Sequence, residues 1–140
     1  PYPISPLVEA VIDSAINAAT QDPRFEPMTK DELDRVVFEV SVLTPPQPVE
    51  TTSLKDYVKK IKVGQDGLII ERGYHKGLLL PQVPIEGGWD EEEFLCQCCM
   101  KAGLTPDSWL TKEAKIYKFK AIIFEEETPN GKVKQLNIEK

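Results

Sequence analysis

Three cysteines fall within four residues of the sequence, at Cys96, Cys98 and Cys99, and thiolates serve as metal ligands and nucleophiles. A structural zinc site needs two separated pairs of ligands, whereas this chain offers one cluster and one distant histidine, His75. Buried cysteine packs as a small hydrophobic side chain. We therefore expect core packing and no metal site, with metal or redox use as the alternative. An odd, clustered set of thiols cannot form a disulfide framework, which favours the cytoplasm.

A second candidate site is the sequence Asp22-Pro23-Arg24-Phe25, which combines a carboxylate, a guanidinium and an aromatic ring after a predicted helix. The two-pronged guanidinium of Arg24 could hold a carboxylate or a phosphate. The alternative is structural: Arg24 pairs with Asp22 or Glu26, and Phe25 fills the core.

Two further polar residues, Gln82 and His75, stand near apolar runs. Gln82 lies between apolar neighbours, and a buried amide must be hydrogen-bonded. It either donates to a ligand or ties down a loop carbonyl. Histidine side chains can act as general acids or bases, but the place of His75 in a predicted turn favours an exposed residue without a catalytic role. The predicted ligand-binding residues are therefore Arg24, Phe25 and Gln82, and we find no catalytic or cofactor-binding motif.

The distribution of charge excludes several classes of partner. Residues 1–50 carry a net charge of −6, and residues 51–140 are balanced. The sequence has one basic cluster, Lys59, Lys60 and Lys62, so we expect no nucleic-acid binding. The longest apolar run has four residues, and a membrane helix needs roughly 20. Abundant Glu and Lys with twelve prolines would suit a thermophile.

Helices are predicted from caps and apolar spacing. Ser5-Pro6 predicts a helix start, and apolar residues at helical spacing continue the helix to Thr20. Thr29 and Glu32 form a capping box, and residues 54–61 form a short helix. A longer helix begins at Asp90 and ends at Gly103.

Strands are predicted from alternation and turns. Residues 36–44 and 116–126 alternate between apolar and polar side chains. Residues 67–71 and 77–80 form a hairpin, which leaves through a rigid segment at Pro81 and Pro84. The turn Pro129-Asn130-Gly131-Lys132 predicts a second hairpin. Helices and at least five largely antiparallel strands together indicate the α+β class.

A series of short motifs covers nearly the whole chain in a fixed order. They are Asp22-Pro23-Arg24-Phe25, Met28-Thr29, Glu32-Leu33, Val40-Ser41-Val42-Leu43-Thr44, Gly67-Leu68-Ile69-Ile70, Leu78-Leu79-Leu80-Pro81-Gln82-Val83, Gly88-Trp89-Asp90 and Cys99-x-Lys101-Ala102-Gly103-Leu104. As an ordered series they resemble the AMMECR domain family, whose archaeal and bacterial members are called AmmeMemoRadiSam system protein A.

The resemblance implies a barrel-like α+β sheet with flanking helices, built from two β-β-β-α-α units. It also implies that residues 1–140 are a single domain lacking its N-terminal segment, because the family's Leu-Arg-Gly-Cys-Ile-Gly motif lies just upstream of the matching region. The cysteine of that motif is often proposed as reactive. None of Cys96, Cys98 or Cys99 inherits this role, since they match a helix.

The family has no settled biochemical activity, but prokaryotic relatives are encoded with a Memo-like protein and a radical-SAM protein. The resemblance therefore implies a cytoplasmic pathway component that binds a partner protein or a small ligand, the partner being a Memo-like or radical-SAM pathway protein. The alternative is an enzyme with its cysteine nucleophile in the absent motif and a pocket lined by Arg24 and Gln82. The sequence specifies neither a reaction nor an oligomeric state.

Overall fold

The computed structural model describes residues 6–138, which form four α-helices, seven strands and three 3₁₀ turns. In chain order the helices and strands are α1 (Leu7–Thr20), β1 (Glu39–Leu43), β2 (Gln47–Pro48), α2 (Tyr57–Lys60), β3 (Gly67–Arg72), β4 (His75–Leu79), α3 (Val83–Gly87), α4 (Glu91–Lys101), β5 (Lys115–Phe119), β6 (Ala121–Glu126) and β7 (Val133–Leu136). The 3₁₀ turns are Lys30–Arg35, Leu54–Asp56 and Ser108–Leu110.

Contacts divide the chain into two compact units. Unit 1 comprises Pro1–Val42 and Ile122–Leu136, and unit 2 comprises Leu43–Ala121 and Asn137–Lys140. The strands form a three-stranded sheet of order β1-β6-β7 and a four-stranded sheet of order β2-β5-β3-β4. Helices and antiparallel sheets confirm the α+β prediction, and within residues 6–138 neither sheet closes into a barrel. The assignment of residues 1–140 to a single domain stays a prediction.

Unit 2 contains the predicted hairpin of β3 and β4. Leu68 pairs with Leu79 at one end and Arg72 with His75 at the other, so the turn has two residues, Gly73 and Tyr74. Gly73 has a φ of 61°, which glycine adopts without steric cost. On its other side β3 pairs antiparallel with β5. The hairpin is therefore confirmed: β3 ends one residue later than expected, and β4 begins two residues earlier and ends one residue earlier.

The hydrophobic core of unit 2 joins this sheet to α4. Its buried members come from both elements and from the turns around them: Val49, Tyr57, Ile61, Val63, Leu68, Ile70, Phe94, Leu95, Cys98, Cys99, Trp109 and Ile116. Such a continuous cluster stabilises a domain mainly through the removal of apolar surface from water. Unit 2 thus carries a complete core of its own.

Helix α4 begins and ends where the sequence predicts. The Asp90 Oδ1 accepts a hydrogen bond from the Glu93 N–H at 2.8 Å, which satisfies one free donor of the first turn. Gly103 ends the helix with a φ of 80°. The Glu91 Oε2 accepts from the Val63 N–H at 2.9 Å and so ties the helix start to a neighbouring turn.

Unit 1 contains α1, the first 3₁₀ turn and the three-stranded sheet. Strands β6 and β7 pair antiparallel, and Asn130 in the turn between them has a φ of 58°. The capping box is confirmed: the Thr29 N–H and hydroxyl both donate to the Glu32 Oε1, at 3.1 and 2.9 Å. These bonds from the Thr29 backbone and side chain lower the pKa of Glu32.

The single strand expected over residues 116–126 is two strands. Lys120 interrupts it: its N–H donates to the Thr44 Oγ1 at 2.8 Å, and its carbonyl accepts from the Thr44 N–H at 2.9 Å. Strand β5 joins the four-stranded sheet and β6 joins the three-stranded sheet. Apolar residues at positions 117, 119, 121 and 123 recur at every second position on both sides of Lys120, so the sequence pattern hides the break.

Two other expectations differ from the structure. The rigid segment after β4 contains a short helix, α3, with Pro84 in its first turn, where the missing N–H of proline is tolerated. The strand expected over residues 36–44 is shorter, Glu39–Leu43. Ser5, the predicted cap of the first helix, lies outside the described residues, and α1 ends at Thr20 as expected.

Candidate functional site

The Asp22–Phe25 loop follows α1 in unit 1 and holds Arg24 in a fixed orientation. Asp22 accepts from the Arg24 backbone N–H and Nε at 3.0 Å each through Oδ1, and from Nη2 at 2.7 Å through Oδ2. These side-chain bonds and the charge of Asp22 raise the pKa of Arg24. The Arg24 side chain is nevertheless 73% exposed. The structural alternative, in which Arg24 pairs with Asp22, is therefore confirmed, and the guanidinium of Arg24 remains at the surface.

Phe25 does not fill the core, contrary to the structural alternative. Its side chain is 68% exposed, and the Arg24 guanidinium carbon lies 5.5 Å from its ring centroid. This distance is within the range of a cation–π contact. The loop therefore presents a guanidinium and an aromatic ring together, and both residue types are enriched at protein interfaces.

Gln82 lies in unit 2, directly before α3. Its side-chain Oε1 is buried and has no hydrogen-bond partner among the described residues. A buried amide oxygen of this kind is unusual, because leaving it unpaired costs about 1–3 kcal/mol. Arg24 and Phe25 are thus brought together in unit 1, Gln82 belongs to the other unit, and the ligand-binding role of the three residues stays a prediction.

The cysteines lie on α4, and two of them are core residues. Cys98 and Cys99 are fully buried, and Cys96 is half-buried. The Cys98 thiol points toward the carbonyls of Leu68 and Gly77, at 3.7 and 3.6 Å. Burial raises the pKa of Cys98 to about 12 and that of Cys99 to about 11. Both thiols are therefore poor nucleophiles at neutral pH, and their full burial in the core confirms the packing role.

His75 is an exposed residue at the first position of β4. Its Nδ1 lies 3.2 Å from the Ala102 carbonyl at the end of α4, and the ring therefore donates to this carbonyl. A donor at a helix C-terminus satisfies a carbonyl that has no partner within the helix. His75 thus fastens the hairpin to α4. No group of three or more histidine, cysteine or acidic side chains gathers within residues 6–138 in a way that could hold a metal ion.

The most unusual surface of the described chain is on α1. The large side chains of Leu7, Val8, Ile12 and Ile16 are 61, 67, 52 and 55% exposed, and none of the fourteen residues of the helix is buried. The half-buried positions of α1 carry three alanines and one valine: Ala10, Ala15, Ala19 and Val11. The helix therefore presents its largest aliphatic groups outward, the reverse of an ordinary amphipathic surface helix.

The sequence contains the pattern that forms this surface, but helical spacing alone does not show which apolar row of α1 is exposed. Val8, Ile12 and Ile16 recur every four residues and form one ridge, beside the row of Val11, Ala15 and Ala19. The apolar arc of α1 is thus wider than one packed face requires. We define Val8, Ile12 and Ile16 as the α1 ridge.

Unit 1 also carries the entire net charge of the chain. It holds five basic and eleven acidic residues, whereas unit 2 holds twelve of each. Glu9 and Asp13 are the charged residues of α1, and both are acidic. The exposed aliphatic groups therefore lie in a negatively charged environment. Within residues 6–138, no helix combines the length and apolar character needed to cross a bilayer.

The fold and these surfaces define an α+β protein with a packed, electrically balanced unit and an acidic unit that exposes apolar side chains. Comparison with protein families agrees with the ordered motifs: the AMMECR1 family model matches residues 1–124. The chain belongs to the AMMECR1 family.

Curated relatives extend over nearly the whole chain. Protein MJ0810 of Methanocaldococcus jannaschii is 58% identical over 133 residues, covering 95% of this chain and 66% of the relative. A protein of Thermococcus onnurineus is 63% identical over 135 residues, covering 96% of this chain and 65% of the relative. The chain therefore spans slightly less than two thirds of the length of these relatives, which come from thermophilic archaea.

A solved structure has the same fold. The crystal structure of the uncharacterized protein PH0010 from Pyrococcus horikoshii superimposes with a TM-score of 0.94 at 57% identity. The match covers 97% of this chain and 66% of that protein. The names of these relatives assign no activity.

Proposed function

We propose that this protein is a cytoplasmic, partner-binding component of a pathway that includes a Memo-like protein and a radical-SAM protein. One observation supports the binding part of this proposal: α1 exposes half or more of four large aliphatic side chains, those of Leu7, Val8, Ile12 and Ile16. A contiguous exposed apolar patch marks an interaction surface, because leaving it in water forfeits roughly 25 cal/mol per Å². The pathway part rests on the family resemblance of the ordered motifs.

The same observation favours a protein over a small molecule as the partner. A small ligand is held in a concave pocket that buries most of its surface, whereas a ridge on a helix is convex. Ridges of this kind pack into the groove of another helix or against a sheet. The loop that follows α1 adds two exposed residues, Phe25 and Arg24, and Asp22 orients the Arg24 side chain.

The experiment uses purified proteins. The Memo-like and radical-SAM proteins encoded with a family member are titrated separately into the chain, and binding is followed by calorimetry. We expect one of them to bind, and the variant Ile12→Ser with Ile16→Ser to bind at least roughly tenfold more weakly, because two interface anchors are lost. The control is Val133→Ser, an exposed apolar residue on β7. The proposal is contradicted if the double variant and the Val133 control bind equally well, or if neither the Memo-like nor the radical-SAM protein binds the chain.

A second candidate function is an enzyme whose cysteine nucleophile is supplied by the Leu-Arg-Gly-Cys-Ile-Gly motif, with Gln82 as a residue of its pocket. The buried, unpaired Oε1 of Gln82 favours it, since a substrate N–H or O–H would satisfy this acceptor. A relative carrying that motif is treated with a cysteine-reactive probe, with and without a metabolite pool. Labelling of the motif and its protection by the pool support the enzyme, and labelling indifferent to the pool opposes it.

A further inference from the structure

We infer that the α1 ridge binds an amphipathic helix of a partner protein whose polar flank is basic, an inference that rests on the proposed partner-binding function. The ridge supplies the apolar half of this recognition. Val8, Ile12 and Ile16 lie along one side of α1 over about 12 Å, at a rise of 1.5 Å per residue. That length matches two turns of a partner helix, the usual span of helix-in-groove recognition.

Acidic residues border the ridge and supply the charged half. Glu9 precedes Ile12 by three residues and Asp13 precedes Ile16 by three, so each carboxylate neighbours the ridge on the helix surface. No basic residue occurs in α1 to neutralise them. Lysine or arginine beside the partner's apolar row would face these carboxylates, and this complementarity also speeds the encounter of the two proteins.

The same charges argue against a second copy of this chain as the occupant. Two α1 helices packed through their ridges would bring two acidic flanks together, within a unit whose net charge is already −6. Like charges at an interface oppose association. A basic partner helix removes this repulsion and replaces it with attraction.

The probe is a designed helical peptide of about 18 residues, long enough to fold on contact, with leucines at every fourth position and lysines beside them. The matched peptide replaces each lysine with glutamate. Binding of the fluorescent peptides is measured by anisotropy at about 50 mM and about 500 mM salt, since screening weakens exposed ion pairs. We expect the lysine peptide to bind at least roughly tenfold more tightly at low salt, and this ratio to shrink at high salt.

Two variants separate the contributions. Glu9→Gln with Asp13→Asn is expected to weaken binding of the lysine peptide roughly fivefold at low salt and to strengthen binding of the glutamate peptide, because a repulsion is removed. The control, Glu26→Gln with Asp34→Asn, makes the same change of net charge at exposed positions outside α1 and leaves the preference intact. Equal affinity for the two peptides, or an equal effect of both variant pairs, overturns the inference.

Other occupants give distinct results. Sedimentation measures whether the chain forms a dimer. A dimer that is lost in the variant Ile12→Ser with Ile16→Ser would show that a second copy occupies the ridge, and this would overturn the inference. The lysine peptide is also tested on the full-length Pyrococcus horikoshii relative. If this chain binds the peptide and the relative does not, another part of the relative covers the ridge, and the inference is overturned. A third outcome is a natural partner that loses affinity on substitution of Ile12 but keeps it on substitution of Glu9 and Asp13 and at high salt. That result overturns the inference of a basic flank and still supports the proposed function.

Discussion

The backbone of α4 lies directly against Gly77 of β4. A Cβ built on Gly77 would stand 2.6 Å from the Ala102 N and 2.9 Å from the Cys98 O, closer than real Cβ contacts allow. His75, two residues earlier, bonds the Ala102 carbonyl, and the Cys98 thiol points to the Gly77 carbonyl. The absence of a side chain at Gly77 therefore lets helix and hairpin approach closely enough for these contacts to form.

The first prediction concerns this close approach. Gly77→Ala places a methyl group against backbone atoms that cannot rotate away, so we expect a loss of stability of about 1–3 kcal/mol. Thermal unfolding followed by circular dichroism measures it as a fall in Tm. The control is Gly73→Asn in the hairpin turn, where no atom lies within 4 Å of a built Cβ and asparagine tolerates a positive φ. A control as destabilising as Gly77→Ala would contradict the steric explanation.

The second prediction concerns thiol reactivity. A neutral-pH thiol reagent is expected to modify Cys96, which is half-buried, well before Cys98 and Cys99, which are fully buried. Reaction of the latter two requires opening of the core, so it follows the rate or population of that opening. Mass spectrometry of digests over time identifies the modified residue. Rapid modification of Cys98 in the folded chain would show that α4 packs less tightly than described.

The third prediction concerns stability at alkaline pH. Burial raises the pKa of Cys98 from 9.0 to about 12, so above pH 9 the unfolded chain loses this proton before the folded chain does. The stability that comes from the protonated buried thiol is thus complete below about pH 9 and is lost as the pH rises toward 12. Urea midpoints measured across this range should fall less steeply for Cys98→Ala than for Cys96→Ala, the matched control on the same helix. Parallel curves would refute the assignment.

The local features of this fold were predictable because their signals are local. The Asp90 cap, the Gly103 helix end and the hairpin turn at Gly73 each depend on a few neighbouring residues whose chemistry favours one backbone conformation. Helix α3 was missed because Pro84 suggests a loop, although proline is equally suited to a first helical turn.

The remaining features depend on which elements meet in space. The break at Lys120 was missed because it rests on Thr44, far away in sequence. Periodicity likewise identified α1 but not which of its apolar rows packs, since Val11 and Ile12 are both apolar and lie 100° apart around the helix. The proposed partner-binding surface could therefore be identified only from the structure, which gives the exposed fraction of each side chain.

The fourth prediction concerns the exposed loop after α1. Arg24→Ala and Phe25→Ala should leave the Tm within about 1 °C of the parent chain, because exposed ion pairs and rings contribute little to folding. Asp22→Asn should instead release the guanidinium from its fixed orientation, which an increase in the amplitude of Arg24 Nε–Hε motion by NMR relaxation would report. A large fall in Tm on substitution of Phe25 would indicate a packing role that its 68% exposure excludes.

The fifth prediction concerns Asp66, a buried carboxylate in the turn between α2 and β3. Its Oδ2 accepts from the Lys62 N–H at 2.9 Å and its Oδ1 from the Lys120 Nζ at 2.8 Å. Asp66→Ala leaves the Lys62 N–H without this acceptor and exposes the turn to unfolding, so we expect a loss of about 2–3 kcal/mol in urea denaturation.

The partner of this ion pair should matter much less. The Lys120 side chain is 60% exposed, whereas that of Asp66 is 5% exposed, so water can replace the ammonium in Lys120→Met. We expect this variant to lose less than about 1 kcal/mol, and Asp66→Asn to fall between the two because an amide oxygen can still accept from Lys62. If Lys120→Met were as destabilising as Asp66→Ala, the ion pair itself, rather than the backbone hydrogen bond of Asp66, would hold this turn in place.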